Sequence, residues 1–240
     1  MKKLSLFLAM FMLTSLMGFS QTKVQKSLVS SSENEIIVDV KTGDFRMEEV
    51  VTPDGIKFIV TADDMATTLV KGAPSLPMFP ISMIIDDKAE MEVSIIKSTF
   101  TDYENVEVAP SKGNLSRQVN PDEVDYVYGE MYQQNAFYPA SQAALQTPYI
   151  IRDFRAQNVM VYPYAYNPVT KTLRVYNDLR IAVRKVSDKG ENQKMNRRTN
   201  TITASHEVLA SYQHRFINFN SQEKYDFIED EGEILVICVY

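Results

Sequence analysis

Residue types that usually do chemistry are scarce here: two histidines, His206 and His214, and one cysteine, Cys238, in 240 residues. His206-Glu207 invites the zinc-peptidase pattern His-Glu-x-x-His. In that pattern two imidazoles one helical turn apart hold the metal and the glutamate acts as general base. It needs histidine at position 210, where the chain has Ala210. His206 and His214 are eight apart, so they do not share a face as i and i+4 ligands do. A Cys–His dyad would supply a thiolate nucleophile. Cys238, however, sits inside the apolar run 234–240, where free cysteine packs as a small hydrophobe. A single cysteine makes neither an internal disulfide nor a Cys-rich zinc site. No glycine-rich phosphate loop and no nucleophile elbow occurs. The residues therefore name no catalytic group, no metal ligand and no cofactor.

The charged residues point elsewhere. With 25 Lys+Arg against 31 Asp+Glu the formal net charge is −6, which argues against a nucleic-acid surface. Basic residues in polar, turn-prone stretches are instead candidate cleavage points, because nicking concentrates in such places. They are Arg117, the dibasic pair Arg197-Arg198, and Lys224. Tyr126, Tyr128, Tyr132, Phe137 and Tyr138 form a local aromatic cluster, open to reading as sheet packing or as a binding platform.

The elements that would carry these residues follow an address. Lys2 and Lys3 precede the apolar run 4–19, which ends in Gly18-Phe19-Ser20. The run is shorter than the ~20 residues of a membrane span. The pattern is that of a secretory signal peptide over 1–20, with Ser20 the last residue removed. After it the hydrophobic period becomes two. Strand-like runs occupy 35–40, 45–51 and 56–61, the last two flanking the hairpin signal Thr52-Pro53-Asp54-Gly55. Pro74, Pro77 and Pro80 keep residues 72–80 out of a central strand. Strand-like runs return at 81–85, 91–96, 106–109 and 158–166. Residues 173–184 alternate apolar and charged, with Asn177 the one polar interruption of the apolar series. Such alternation belongs to antiparallel sheets with one wet face.

From 187 the chain turns polar and reads as a linker over 187–232. Within it, 205–219 is the helix candidate. Ser205 is its N-cap, and Leu209, Tyr212, Phe216 and Phe219 lie near one face. Residues 233–240 end in an apolar run without alternation, the pattern of a buried parallel strand. The expectation is mainly β: an antiparallel, jelly-roll-like β-sandwich over 21–186, the linker with its helix, and the first strand of an α/β domain that is otherwise absent. The sequence is then a fragment or truncated reading frame of something longer.

Several ordered stretches resemble a known family. They are Gly72-Ala73-Pro74-Ser75-Leu76-Pro77, Val108-Ala109-Pro110-Ser111-Lys112-Gly113, Tyr126-Val127-Tyr128-Gly129 and Phe137-Tyr138-Pro139. Two longer ones follow, 148–155 (PYIIRDFR) and 166–176 (YNPVTKTLRVY). From about residue 71 onward the chain resembles the prosegment of gingipain-type cysteine endopeptidases. The resemblance implies a β-sandwich that covers the active-site cleft of a latent zymogen and is removed by cleavage after basic residues. It implies a caspase-like peptidase domain downstream, with 232–237 its first strand, so that the catalytic Cys and His lie beyond Tyr240. Arg117 resembles an internal processing site, and Lys224 falls where the mature enzyme would begin. The resemblance assigns no inhibitory contact, because residues 129–140 (GEMYQQNAFYPA) offer no Lys or Arg to a basic-specific pocket.

The expected function is that of an inhibitory and folding-assisting prosegment. Its partners are its own downstream peptidase domain and a processing protease. No nucleic acid is involved, and no membrane after signal removal. Its location is across the inner membrane, then periplasmic and extracellular or cell-surface. The alternative is a stand-alone secreted β-sandwich that binds a surface protein or glycan.

Overall fold

Alternating apolar and polar residues make strands of about half of the described residues. The computed structural model describes residues 22–152, 154–195, 202–219 and 225–227. Strands β1 (Gln25–Ser31) and β2 (Glu35–Lys41) form a hairpin, and β3 (Phe45–Thr52) and β4 (Gly55–Ala62) form another. The second hairpin turns at Pro53-Asp54, with Gly55 at φ 99°, a conformation that glycine adopts without strain. A two-residue β5 (Ala66–Thr67) precedes β6 (Pro77–Ile84) and the 14-residue β7 (Glu90–Tyr103). After residues 104–142 come β8 (Ala143–Leu145), β9 (Tyr149–Ile151), β10 (Phe154–Val161), β11 (Tyr164–Asn167) and the 16-residue β12 (Thr172–Ser187). Then follow β13 (Ile202–Ala204), α1 (His206–Arg215) and β14 (Tyr225–Phe227), with β13 and β14 parallel.

Two antiparallel sheets share the core. The first has β12 at its centre, with β7 along one edge and β11 and then β2 along the other, and β1 outside β2. In the second, β10 is central, with β6 on one side and β8 and β9 on the other. Ile36, Val38, Val40, Leu179, Ile181 and Val183 from the first sheet pack with Phe79, Ile81, Met83, Val159 and Val161 from the second. Every such side chain taken wholly out of water contributes about 1.5–3 kcal/mol. The mainly β, antiparallel architecture agrees with the expectation.

The wet face of β12 is laced by cross-strand ion pairs. Arg180 grips Asp39 of β2 with two bonds of 2.7 and 2.6 Å, and Arg174 grips Asp102 of β7 with two of 2.8 Å. Arg184 reaches Glu35 at 2.5 Å. The polar interruption at Asn177 is a bulge: Tyr176 pairs with Phe100 and Asp178 with Thr99, so Asn177 drops out of the β7 register while its side chain donates to Thr101 Oγ1 at 2.8 Å.

Several expectations are corrected. Pro77 and Pro80 do lie in a strand, because β6 has a long neighbour on one side only and β5 covers just Pro77 and Met78 on the other. Residues 106–109 make a single bridge at Val108 rather than a strand. The run 158–166 is broken at Tyr162-Pro163 between β10 and β11. The helix stops at Arg215, and Phe216 is extended (φ −109°, ψ 126°).

The stretch after β12, read as linker, packs on the two sheets where it is described. Arg155, 0% exposed, donates to the carbonyls of Asp86 (2.8 Å), Ala89 (2.8 Å), Glu191 (2.6 Å) and Asn192 (3.0 Å). Gly190 passes close behind it; a Cβ there would lie 2.1 Å from the Ala89 carbonyl oxygen.

Candidate functional site

Residues 104–142 join β7 to β8 with two short 3-10 turns, Pro121–Glu123 and Glu130–Gln133, as their regular structure. A connection this long, with little secondary structure of its own, usually carries function. It is pinned at both ends and in its middle. Phe58 N–H donates to Glu107 O and Ala109 N–H to Phe58 O, both at 2.8 Å. Residues 109–111 pair with 72–75: Ser111 N–H to Ala73 O is 2.7 Å and Ser75 N–H to Ala109 O is 3.0 Å. Gly129 N–H donates to Gly72 O at 2.9 Å. Tyr138 and Tyr166 exchange two backbone bonds of 2.9 and 2.8 Å.

Side chains complete the anchoring. The Tyr132 hydroxyl donates to Val108 O (2.9 Å), and its ring meets that of Tyr128 edge-on at 4.8 Å. Burial pushes the Tyr132 phenol well above its ordinary range and that of Tyr166 up to about 12. Both hydroxyls stay neutral at any physiological pH, so Tyr132 keeps its donation to Val108 O. Tyr128 OH and Thr52 Oγ1 share a 2.9 Å hydrogen bond that ties the segment to the β3–β4 hairpin. Phe137 and Phe100 sandwich the Arg174 guanidinium, whose carbon lies 4.2 and 3.8 Å from their ring centres. The aromatic cluster singled out in the sequence is thus engaged in fastening this segment.

Glu107 lies between Lys57 and Lys171 and takes a hydrogen bond from each. These bonds hold its carboxyl below the usual carboxylate range against the opposing effect of burial. A cleft beside it is lined by Asp54, Lys57, Tyr128, Tyr132 and Lys171.

Arg117 lies on the exposed part of the segment. Val119 N–H bonds to Ser116 O at 3.0 Å, closing a turn with Arg117 and Gln118 at its tip, all of 116–120 being exposed except for backbone contacts. Gln133 to Ala136 are also exposed, between the anchored Tyr132 and Phe137. Ser20, Arg197, Arg198, Lys224 and Cys238 lie outside the described residues, as does the run 233–240. His206 and His214 are exposed on α1, and no group of three or more His, Cys, Asp or Glu able to hold a metal occurs among the described residues. No helix there is long and apolar enough to cross a membrane.

Sequence reasoning missed Arg155, Glu107 and Asn218. Arg155 lay within a quoted stretch, but its partners are carbonyls distant in the chain. Glu107 lay inside the strand-like run 106–109 with no local sign of its two lysines.

Comparison with known proteins places this architecture. The Propeptide_C25 family model matches residues 21–227. Gingipain R1 of Porphyromonas gingivalis is 36% identical over 201 residues, which cover 80% of this chain and 20% of that protein. Gingipain R2 of the same organism is 33% identical over 215 residues, 89% of this chain and 29% of that protein. The chain thus spans less than a third of the curated relatives it matches. Among solved structures, the complex of RgpB pro- and mature domains from Porphyromonas gingivalis matches with a TM-score of 0.72 at 32% identity, over 81% of this chain and 97% of the other. A structure addressing the zymogenic latency of gingipain K from the same organism matches with a TM-score of 0.58 at 19% identity, over 69% of this chain and 94% of the other, a likeness of fold. The chain belongs to the Propeptide_C25 family and is a propeptide region of the gingipain type, not a catalytic domain.

Proposed function

We propose that this chain is the inhibitory and folding prosegment of a secreted, gingipain-like cysteine endopeptidase. It covers the active-site cleft of the downstream caspase-like domain until it is cut after basic residues. The observation that carries this reading is the structural match of 81% of this chain to 97% of a chain from a complex of RgpB pro- and mature domains.

The physical chemistry is adequate. Interfaces of about 1,600 Å² hold stable complexes, and a folded two-sheet domain offers such an area. A segment already ordered before docking loses little conformational entropy on binding, and residues 104–142 are ordered by the contacts described above. Export begins with the signal-like residues 1–20, removed after Ser20. Arg117, at the tip of an exposed turn, is the internal processing point, with Arg197-Arg198 as further candidates. Lys224 is the junction with the mature enzyme and calls for a processing protease that accepts lysine.

The test is inhibition in trans. The chain without residues 1–20 is added to a mature gingipain R-type peptidase, and hydrolysis of a small substrate is followed. Saturable inhibition at micromolar concentration is expected; full activity throughout that range overturns the occlusion mechanism.

A further inference from the structure

The segment after the dibasic pair is fastened more firmly than its polar flanks suggest. Phe154 of β10 is met edge-on by Tyr212 (5.0 Å), Phe216 (6.1 Å) and Phe219 (5.8 Å). Tyr212 and Phe216 are buried with Ala156, and Ile84, Tyr149, Ile151 and Val208 close the cluster. Beyond α1 the chain lies along the free edge of β6. Ile217 N–H donates to Ser82 O at 3.0 Å. The Asn218 carboxamide then behaves as a missing strand. Its Oδ1 accepts from Ile84 N–H at 2.8 Å, and its Nδ2 donates to Ile84 O at 2.8 Å. An unpaired strand edge is thereby covered. On the other side of residues 196–201, Arg155 holds Glu191 and Asn192 by their carbonyls. Two neighbours on one strand, Phe154 and Arg155, thus fasten the chain before and after the dibasic pair.

We propose that residues 205–219 are held by these contacts and not by the chain that joins them to β12, so that a cut between Asn192 and Ile202 leaves the segment seated. Cleavage at Arg197-Arg198 is then silent, and a change in what the domain holds requires a cut within 104–142 or beyond Phe219. The consequence for latency rests on the function proposed above; the retention itself does not.

The test inserts the recognition sequence of a site-specific protease between Met195 and Ile202 in the chain without residues 1–20. After complete cutting, both pieces are expected to elute at the uncut volume and to give a one-to-one complex in native mass spectrometry. Separation of the C-terminal piece overturns the proposal. In a Phe154→Ala, Asn218→Ala variant the pieces are expected to separate after cutting; co-elution there overturns the assignment to these two residues. Should the double variant fail to fold, Asn218→Ala alone removes the edge bonds and a 3.3 Å bond to Ser31 Oγ, and is expected to weaken retention roughly tenfold. Unchanged retention in that variant counts against the edge-strand role. No gingipain-type peptidase is present, so failure here is distinct from failure of the inhibition assay. If the cut complex does form, it is expected to inhibit as the intact chain does.

Discussion

Gly129 donates its backbone N–H to the carbonyl of Gly72 at 2.9 Å, and neither position has room for a side chain. A Cβ on Gly72 would lie 3.0 Å from Gly129 N, and Gly72 holds φ at 81°. A Cβ on Gly129 would lie 2.9 Å from the Gly72 oxygen. This contact fastens the middle of the segment that carries Arg117 to the segment before β6. Gly72→Ala is expected to cost about 1–3 kcal/mol and to quicken trypsin nicking at Arg117. Urea unfolding and timed proteolysis read the two effects; unchanged nicking would show that the segment is fastened elsewhere.

Arg155 has no exposed surface and spends its donors on four backbone carbonyls. Burial pushes its pKa down and the nearby Asp86 and Asp87 push it up; arginine remains charged throughout. Arg155→Met removes this donor from all four carbonyls, of which Asp86 O keeps the Ala89 N–H, and is expected to cost about 3 kcal/mol or more. Urea titration measures this, and hydrogen exchange should show loss of protection around Gly190.

Glu107 gives a pH dependence of defined sign. Lys171 and Lys57 lower its carboxyl pKa in the folded protein. Its contribution is therefore fully present above the unfolded value of about 4.3 and is lost as pH falls through the folded value. The pair is partly exposed, so the effect is under about 1 kcal/mol. Glu107→Gln is expected to be less stable than the parent at pH 7, with the gap closing below about pH 4. A gap that widens on acidification would reverse the assignment.

Arg117 makes a cleaner test of processing. It is exposed in the Ser116–Val119 turn, so Arg117→Gln is expected to shift stability by less than about 0.5 kcal/mol while abolishing the internal cut. Mass spectrometry of the products decides this; the same fragments from both chains would place the cut elsewhere.

Much of this was legible in the sequence because sheet patterning is local. Leu173, Val175, Leu179, Ile181 and Val183 announced the buried face of β12, and Pro53-Asp54-Gly55 announced the β3–β4 turn. Ser205, Tyr212 and Phe216 likewise announced α1 and its buried side. What was not legible depends on partners far away in the chain. Arginine is almost never fully buried, so nothing in its neighbours foretold that Arg155 would find carbonyls from two other segments. Asn218 fell within the helix candidate 205–219, and its role appears only because the helix stops at Arg215 and the chain then lies beside the open edge of β6. Of the cleavage candidates, the turn at Arg117 was legible as an exposed basic site, whereas its fastening through Gly72 and Gly129 required the fold.

The central claim is that this folded domain occludes a peptidase active site. Its most direct measurement is the activity of a mature gingipain R-type peptidase titrated with the chain lacking residues 1–20. The account predicts saturable loss of activity, with a Kd near or below about 1 μM (roughly −8 kcal/mol or tighter). Undiminished hydrolysis with the folded domain in large excess would contradict it.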